Sequence, residues 1–409
     1  MSRRGFMTLA GATGLVTATT LGGARIGLLP GADAADVDAD ILVVLSLRGG
    51  FDGLSAVVPH GDAALAASRP GIAIPTNRLK RIDNMFGLHP ALAPLFPLWD
   101  AGKVAAVQAV GMPDPNRSHF DAMEEMEAAA PGSSLRTGWI DRTVGLIDSD
   151  VFNAGTFTAT MVGTTTVPRS LAGPNPEFAM RSVDDVHLLF DDSLVPLSAW
   201  QSSLATLHTG ASPTLSRPTI SGFDAVASLQ TAPVPGAGYP DNGASRALRD
   251  VSRLVKKQVG LRVATVDWGN WDMHENLGSS DSGWMFDQLT EMSSALAAFA
   301  TDLGDDFNRV TLVTLSEFGR RIDENGSAGV DHGYGNAVLV MGGGVRGGQV
   351  YGTWPGLAEA DRVDGDLKVT TDYRAVLAEI LSTRCRVAGV TSVFPGLQPS
   401  TLGFTNVRA

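Results

Sequence analysis

The stretch from Val310 to Gly348 reads VTLVTLSEFGRRIDENGSAGVDHGYGNAVLVMGGGVRGG. Its apolar run Val310–Leu315 stops abruptly at Ser316 and Glu317, and a second apolar run, Ala337–Met341, ends in three glycines. Between the two runs lies a polar, glycine-rich loop with four prominent ionisable side chains: Arg320, Arg321, Asp331 and His332. Two buried strands that frame such a loop are typical of a site at the C-terminal ends of strands in an open α/β sheet. We therefore expect the rest of the chain to direct functional groups toward this loop.

The composition indicates a globular protein and excludes some classes of function. The chain has 409 residues, of which 44% are hydrophobic and 18% charged, which suffices for a large buried core. The formal net charge is -12 and basic residues do not cluster, so neither a nucleic-acid role nor binding through a polybasic membrane patch is expected. The single cysteine, Cys385, excludes an internal disulfide and is predicted to be a buried structural thiol.

The N-terminus predicts export. Residues 2–7 read SRRGFM, close to the twin-arginine pattern, and a weakly apolar segment and the A-x-A site Ala32-Asp33-Ala34 follow. Residues 1–34 are therefore predicted to be a signal peptide, and the mature protein to lie in the periplasm, cell wall or extracellular space. The twin-arginine route carries folded proteins, which suits a metal loaded before export. No later segment is long and apolar enough to span a membrane.

Hydrophobic periodicity predicts alternating strands and helices. The predicted strands cover residues 41–47, 104–110, 156–162, 261–267, 310–315 and 337–341, and the predicted helices cover residues 89–101, 121–130, 194–207, 246–259, 286–303 and 373–383. This alternation indicates a doubly wound, mostly parallel sheet with helices on both faces. We expect one α/β domain over residues 35–409, with a loop-rich insertion or cap at about residues 150–245, where Pro, Gly and Ser accumulate.

Polar groups follow each of the stronger strands, and right-handed crossovers would bring them to one edge of the sheet. Asp272 and His274 lie two residues apart, so in extended chain both face one side. A carboxylate and an imidazole are suitable ligands for Zn²⁺ or another divalent ion, and His332 would complete the set. Asp52 and Glu317 are hard oxygen donors that would hold a second cation.

Ser118 lies between Arg117 and a predicted helix, where a nucleophile activated by a metal would gain from backbone N–H groups at the helix N-terminus. Taken alone, Ser118 is better explained by a structural role, because it would cap that helix with Asp121 three residues on.

The other candidates also have structural alternatives. An isolated D-x-H occurs by chance, Asp52 would form a tight turn with Gly53, and Asp331 to Gly333 would form another turn. Glu317 would simply pair with Arg320 or Arg321.

Several motifs together resemble a known family. They are LRGGFDGLSAVVPHGD (residues 47–62), NRSHFDA (116–122), GNWDMHEN (269–276), SEFGRR (316–321) and DHGYGNAVLVMGGGVRGGQVYG (331–352). With the arginine leader, they resemble an exported bacterial family, domain of unknown function 1501, which is placed in the alkaline phosphatase and sulfatase superfamily.

The resemblance implies a doubly wound sheet that carries one or two metal ions. It implies that Asp52 and the pair Asp272 and His274 are metal ligands, that Ser118 is the nucleophile, and that His332 is the last histidine ligand. Where the superfamily usually carries Asp-His, this chain has Glu317-Phe318, so an imidazole is missing, and His119 is the candidate substitute. No C-x-P-x-R or S-x-P-x-R signature surrounds Ser118, which argues against a formylglycine sulfatase.

Two functions remain open at this point. The first is an exported metal-dependent hydrolase of phosphate or sulfate esters, with Ser118 or an activated water as nucleophile and Arg117 or Arg320 steadying the anion. Its metal would be Zn²⁺, with Mn²⁺, Mg²⁺ and Ca²⁺ as alternatives. The second is a catalytically degenerate superfamily member that binds an envelope ligand or partner protein, which the phenylalanine at position 318 favours.

Overall fold

The structure is a computed structural model, and it describes residues 39–147, 156–175, 177–187, 225–398 and 400–407. It also describes the backbone of residues 19–21 and 24–26 and a few single positions between 196 and 222. Most of the predicted signal peptide and most of the helix predicted at 194–207 lie outside these residues. Export therefore stays a prediction.

A large mixed sheet organises the described part of the chain. Its strands are β1 (Thr19–Leu21), β2 (Ala24–Ile26), β3 (Ile41–Leu47), β7 (Val104–Gly111), β8 (Ala159–Val162), β9 (Phe178–Met180), β10 (Val263–Trp268), β11 (Val310–Leu315), β12 (Asn336–Gly342), β13 (Val350–Tyr351) and β14 (Thr371–Asp372). The order is β1-β2-β9-β8-β10-β3-β11-β12-β7-β13, and β14 also pairs with β7. Three short strands, β4 (Val57–Val58), β5 (Lys80–Arg81) and β6 (Gly87–Leu88), form a second sheet.

The centre of the large sheet is parallel. Strand β3 lies between β10 and β11 and is parallel to both, and β8 and β9 extend the parallel part beyond β10. Strand β12 is antiparallel to both β11 and β7, so β7 runs in the same direction as β3. The C-terminal ends of β3, β7, β10 and β11 therefore meet at one edge, where β12 begins. The predicted mostly parallel α/β sheet is confirmed.

Helices cover both faces of this sheet. They are α1 (Gly53–Ala56), α2 (Ala63–Ser68), α3 (Phe96–Asp100), α4 (His119–Ala128), α5 (Trp139–Ile147), α6 (Gly243–Lys257), α7 (Trp284–Leu303), α8 (Tyr373–Thr383) and α9 (Val390–Val393). Alternate residues of β3 enter different cores: Val43 and Leu45 pack with α6 and α7, whereas Leu42 and Val44 pack with α4, α5 and α8. This period of two explains why the central strands are continuous apolar runs.

The structure departs from the predicted elements in two places. The helix expected at residues 89–101 is a 3-10 helix, Pro90–Leu95, followed by α3, because Pro94 and Pro97 lack the N–H groups that a continuous α-helix would need there. The expected insertion supplies β8 and β9 to the large sheet, since residues 159–162 and 178–180 pair beside β10. Strand β8 is a shortened form of the strand predicted at residues 156–162, whereas β9 has only three residues, which is too short for a clear periodic signal.

Cys385 is buried among the residues of α8 and α9, and burial raises the pKa of its thiol to about 12. This agrees with the predicted structural thiol. Among the described residues, no helix has the length and apolar character needed to cross a membrane.

Candidate metal centre

Four side chains from three separate segments converge at the shared edge of the sheet. His119 is the first residue of α4, after β7, and Asp272 and His274 follow β10. His332 lies in the loop that leads from β11 to β12. The chain thus assembles three imidazoles and one carboxylate from positions up to 213 residues apart, as expected for a site built on strand ends.

The atoms that meet are the three Nε2 nitrogens and the carboxylate of Asp272. His274 Nε2 lies 3.0 Å from His332 Nε2 and 2.9 Å from Asp272 Oδ1. His332 Nε2 lies 3.1 Å from Asp272 Oδ1, and His119 Nε2 lies 3.5 Å from Asp272 Oδ2. Four ligands about 2.0–2.1 Å from a tetrahedral Zn²⁺ ion would be about 3.3 Å apart. These four separations scatter around that value, and the ligand atoms of His119, Asp272 and His332 all lie within 4.8 Å of one another. His274 adjoins this group of three through its contacts with Asp272 and His332.

The opposite nitrogen of each imidazole has a fixed acceptor. His332 Nδ1 donates to the Arg117 carbonyl at 2.9 Å, which requires the hydrogen to be on Nδ1 in the neutral ring. His274 Nδ1 donates to Asp331 Oδ1 at 2.7 Å. These contacts leave each Nε2 without a hydrogen, which is the second-sphere arrangement usual for metal-bound histidine. Arg320 Nη1 lies 3.4 Å from the Nε2 of His274, a long contact that a bound ion would replace.

The Nδ1 of His119 also has a fixed acceptor, which is a buried carboxylate. Its Nδ1 donates to Glu317 Oε1 at 2.8 Å, and the side chain of Glu317 is 2% exposed. The Nε2 of His119 is buried and has no hydrogen-bond partner among the described residues. A buried acceptor of this kind is costly unless something satisfies it. The centre therefore contains a lone pair that is directed at the cluster and lacks a donor.

The contact between His274 and His332 also indicates a site for a cation. Two unprotonated Nε2 atoms 3.0 Å apart repel one another unless a proton or a cation lies between them. Burial lowers the pKa of His332 below its ordinary value, which disfavours the proton. A divalent cation removes the repulsion at neutral pH, so the residues present fit a metal ion.

The carboxyl groups of Asp272 and Asp331 are ionised. Burial raises the pKa of Asp272, but the hydrogen bond and positive charge of Arg320 work against it, and the pKa falls to about 2. The hydrogen bond from His274 lowers the pKa of Asp331. Both groups are charged at neutral pH, and Asp272 can present a formal negative charge to a cation.

Phe318 occupies the place where the resemblance leads one to expect an imidazole. Its side chain is buried, and its ring centroid lies 4.9 Å from that of His119 and 4.7 Å from that of His332. The ring is an apolar wall behind two of the imidazoles. The third imidazole of the cluster comes from His119, which the sequence suggested only as a substitute.

Arg320 is buried and holds the loops of the centre together. Its guanidinium donates to the carbonyls of Gly50 at 2.6 Å, Val330 at 3.0 Å and Trp271 at 3.0 Å, and also to the Gly49 carbonyl. It also donates to Asp272 Oδ1 at 2.7 Å. To bind a substrate anion, as predicted, Arg320 would have to give up some of these internal contacts.

Asp52 lies apart from the cluster. Its carboxylate forms a buried, two-pronged ion pair with Arg69, with contacts of 2.6 Å and 3.0 Å, and both side chains are at most 2% exposed. Arg69 also donates to the carbonyls of Arg321 and Ile322, both at 2.8 Å. Asp52 thus ties the loop after β3 to the loop after β11 through Arg69.

Glu317 is next to the centre and contacts its ligand His119. Besides the imidazole, Glu317 Oε1 accepts the N–H of Gly49 at 2.8 Å, and Oε2 lies 3.2 Å from the Ser316 hydroxyl. These contacts make Glu317 the group that orients His119. The suggested pairing of Glu317 with Arg320 or Arg321 is absent from the ion pairs of the described residues.

Ser118 and Arg117 precede the centre on the same loop. Ser118 is exposed and caps α4, where its hydroxyl accepts from Asp121 N at 3.5 Å, a long contact. Arg117 donates Nε–H to Asp366 Oδ2 at 2.8 Å and also binds it through Nη2. Asp366 is fully buried, so it holds the Arg117 segment whose carbonyl orients His332.

Sequence reasoning missed Arg69, Asp366 and the orienting role of Asp331. The first two act through partners 17 and 249 residues away, and the chain carries no local signal for either. Asp331 could have been found from its place beside His332.

The comparison with known families gives a match to part of the chain. The pattern of a family described as "Protein of unknown function (DUF1501)" matches residues 243–381. That range includes β10, β11 and β12 and three of the four clustered side chains. Among proteins of curated function, none matches the chain.

Solved structures resemble the chain at low sequence identity. Ps i-CgsB in complex with a neocarrahexaose is 10% identical, with a TM-score of 0.37, and the alignment covers 85% of this chain and 72% of that one. A mutant of the alkaline phosphatase PafA is 10% identical, with a TM-score of 0.33 and coverage of 69% and 64%. A protein in the alkaline phosphatase superfamily from Vibrio parahaemolyticus is 11% identical, with a TM-score of 0.29 and coverage of 84% and 69%. These scores do not assign a function, so the site itself is the basis for one.

Proposed function

We propose that the protein is a metal-dependent hydrolase of phosphate or sulfate esters. One divalent ion would be held by the Nε2 atoms of His119, His274 and His332 and by the carboxylate of Asp272. The observation that carries this proposal is the convergence of three imidazole nitrogens, each left without its hydrogen by an Nδ1 contact on the far side of the ring. A random cluster of histidines has no reason to share this orientation.

The donor set favours Zn²⁺ among the candidate ions. Three imidazoles and one carboxylate suit Zn²⁺, whereas Mg²⁺ and Ca²⁺ prefer oxygen ligands. An ion held there would supply Lewis-acid polarisation of a phosphoryl or sulfuryl oxygen and would lower the pKa of water. The residues around it keep the imidazoles oriented: Glu317 for His119, Asp331 for His274 and the Arg117 carbonyl for His332.

A stoichiometry of one ion per chain is part of the proposal. The second set of oxygen donors suggested by the sequence, Asp52 and Glu317, already has internal partners. Arg69 engages both oxygens of Asp52, and His119 and Gly49 donate to Glu317. A second ion would have to displace a buried guanidinium from its carboxylate, which is strongly unfavourable.

The ester class is proposed from the sequence motifs, which resemble those of phosphatases and sulfatases. Ser118 is the candidate nucleophile because its hydroxyl is exposed and lies one residue from His119. Water is the alternative nucleophile. Arg117 is the better candidate to bind the substrate anion, because its side chain is 33% exposed whereas that of Arg320 is fully buried.

A binding module without catalysis is the second candidate. It is favoured because both arginines already have partners within the protein. Arg320 donates to loop carbonyls, and Arg117 donates to Asp366. An ester hydrolase normally offers a cation to the developing negative charge.

Hydrolysis of a panel of phosphate and sulfate esters separates the two candidates. The protein would be stripped with chelator and reloaded with Zn²⁺ or Mn²⁺, and compared with the variants His332→Ala and Asp272→Asn. The control is His60→Ala, a histidine that binds the Asp83 carbonyl outside the cluster. We expect activity only in the reloaded protein and the control. Metal uptake without hydrolysis of any ester would favour the binding module, and absence of metal uptake would contradict the hydrolase.

A further inference from the structure

A groove of about 560 Å³ lies on the same edge of the sheet as the metal centre. Its walls include the side chains of Phe120 and Met123 from α4 and of Thr164 and Pro168 from the loop after β8. Arg48, directly after β3, also lines it. The groove therefore runs over the ends of β3, β10 and β8, next to the first turn of α4.

The groove adjoins the metal centre through neighbouring residues. Phe120 directly follows the ligand His119. Arg48 precedes Gly49, whose N–H donates to Glu317, and Arg48 also borders a small cavity that reaches Glu317 itself. A substrate whose charged group bound at the cluster would therefore extend its remaining part toward this groove.

Phe120 is the most unusual residue of the groove. Its side chain is 83% exposed, although most of the other aromatic residues near the centre are buried. A phenyl ring left in water forgoes the transfer free energy that burial would give, and such a ring next to a candidate site commonly contacts a ligand. Helix α4 needs no aromatic residue at this exposed position of its first turn.

The charges of the groove are neutralised internally. Arg48 pairs with Glu127 at 2.5 Å and with Asp267 at 2.9 Å, and Arg169 pairs with Glu124 at 2.8 Å. Two guanidiniums thus face three carboxylates, and the groove offers no surplus positive charge to a second anionic group. A polyanionic substrate would be repelled there, whereas an uncharged apolar group would gain contact with Phe120 and Met123.

We propose that this groove binds an uncharged, apolar leaving group of the ester, with Phe120 as the residue that determines this specificity. The substrate class is then a monoester or diester with one anionic head and an aryl or alkyl group. Nucleotide polyphosphates and heavily sulfated polysaccharides are excluded from it. This inference rests on the proposed function, because the anionic head is placed at the metal centre.

Two non-hydrolysable probes test the groove separately from the metal. Binding of phenylphosphonate and methylphosphonate to the Zn²⁺-loaded protein would be measured by calorimetry, for the wild type, Phe120→Ala and Val407→Ala. Val407 is 74% exposed and lies beyond the opposite edge of the sheet, so it controls for the loss of exposed apolar surface. We expect the wild type and Val407→Ala to bind phenylphosphonate about tenfold more tightly than methylphosphonate, and Phe120→Ala to lose that preference.

The other outcomes overturn the inference in distinguishable ways. Equal affinity of the wild type for the two phosphonates would refute the role of the groove and leave the proposed function intact. Self-association that Phe120→Ala abolishes, together with equal phosphonate affinities, would assign the groove to a second copy of the chain. Absence of binding by either phosphonate to the Zn²⁺-loaded protein would refute the inference together with the proposed function.

Discussion

Replacing Glu317 by glutamine removes one negative charge behind the metal centre and little else. The amide oxygen can still accept from His119 Nδ1 and Gly49 N, both at 2.8 Å in the native protein. The buried position and the side-chain volume are kept, so the fold should persist. What changes is the basicity of the His119 imidazole, because a neutral amide polarises the Nδ1–H bond less than a carboxylate does.

The expected loss of metal affinity follows from that single contact. Removal of an orienting partner of a metal-bound histidine typically weakens metal binding about 10–100-fold, or about 1.4–2.7 kcal/mol. Glu317 orients one of four proposed ligands and its hydrogen bonds survive in part, so we expect a value near the lower end. The other three ligands keep their own partners, and stoichiometry should stay at one ion per chain.

Competition with a chromogenic chelator for Zn²⁺ near neutral pH measures this difference. Glu275→Gln is the matched control, because Glu275 is an exposed acid directly after His274 and its removal changes the local charge equally. Metal-free stability, measured by urea unfolding, shows whether either variant damages the fold. Equal Zn²⁺ affinity of Glu317→Gln and wild type, or an equal loss in Glu275→Gln, would refute the orienting role of Glu317.

Three further predictions concern other parts of the structure. Burial lowers the pKa of His89 to about 4, and its Nδ1 accepts from Ala91 N at 3.0 Å, so the folded chain keeps this ring neutral while the unfolded chain protonates it below about pH 6.5. The free energy of unfolding should therefore fall by up to about 3 kcal/mol as pH drops from about 6.5 to about 4, and His89→Asn should remove this part of the pH dependence. Arg69→Met should cost about 3–5 kcal/mol because it leaves Asp52 buried and unpaired, and Asp52→Asn in the same chain should recover most of that loss. Ser118→Asn should keep the helix cap, whereas Ser118→Ala should lose about 1 kcal/mol, and both should abolish ester hydrolysis.

Each of these predictions has a distinct contrary result. For His89, urea unfolding at several pH values would give the same pH slope in wild type and His89→Asn. For Arg69, the double variant would be no more stable than Arg69→Met alone. For Ser118, retention of hydrolysis in the asparagine variant would leave the residue with its capping role only and would favour water as the nucleophile.

The fold was largely predictable because its central strands are buried on both faces. Residues 310–315 form β11 with the bounds that the apolar run predicts, and the helix expected at 373–383 is α8. Such elements carry a strong signal because most of their positions are buried and apolar. Strand β9 was the weak point, since it has only three residues and depends on pairing with β2 and β8.

The sequence groups Asp272, His274 and His332, but it offers His119 only as a substitute and does not indicate that Asp52 and Glu317 have internal partners. The spacing of Asp272 and His274, and the position of His332 after β11, are visible in the sequence because they depend on local chain geometry. The pairing of Asp52 with Arg69 is set by tertiary packing, and no local pattern indicates it. The same limit applies to Glu317, whose carboxylate accepts a hydrogen bond from His119, a residue 198 positions away.

X-ray absorption at the zinc edge of the Zn²⁺-loaded protein tests the central claim most directly. With the ion held by His119, His274, His332 and Asp272, the spectrum should show nitrogen and oxygen ligands at about 2.0–2.1 Å. It should also show outer-shell scattering from three imidazole rings, falling to two in His332→Ala. A first shell of oxygen ligands without imidazole scattering, or an unchanged spectrum in His332→Ala, would contradict the proposed metal centre.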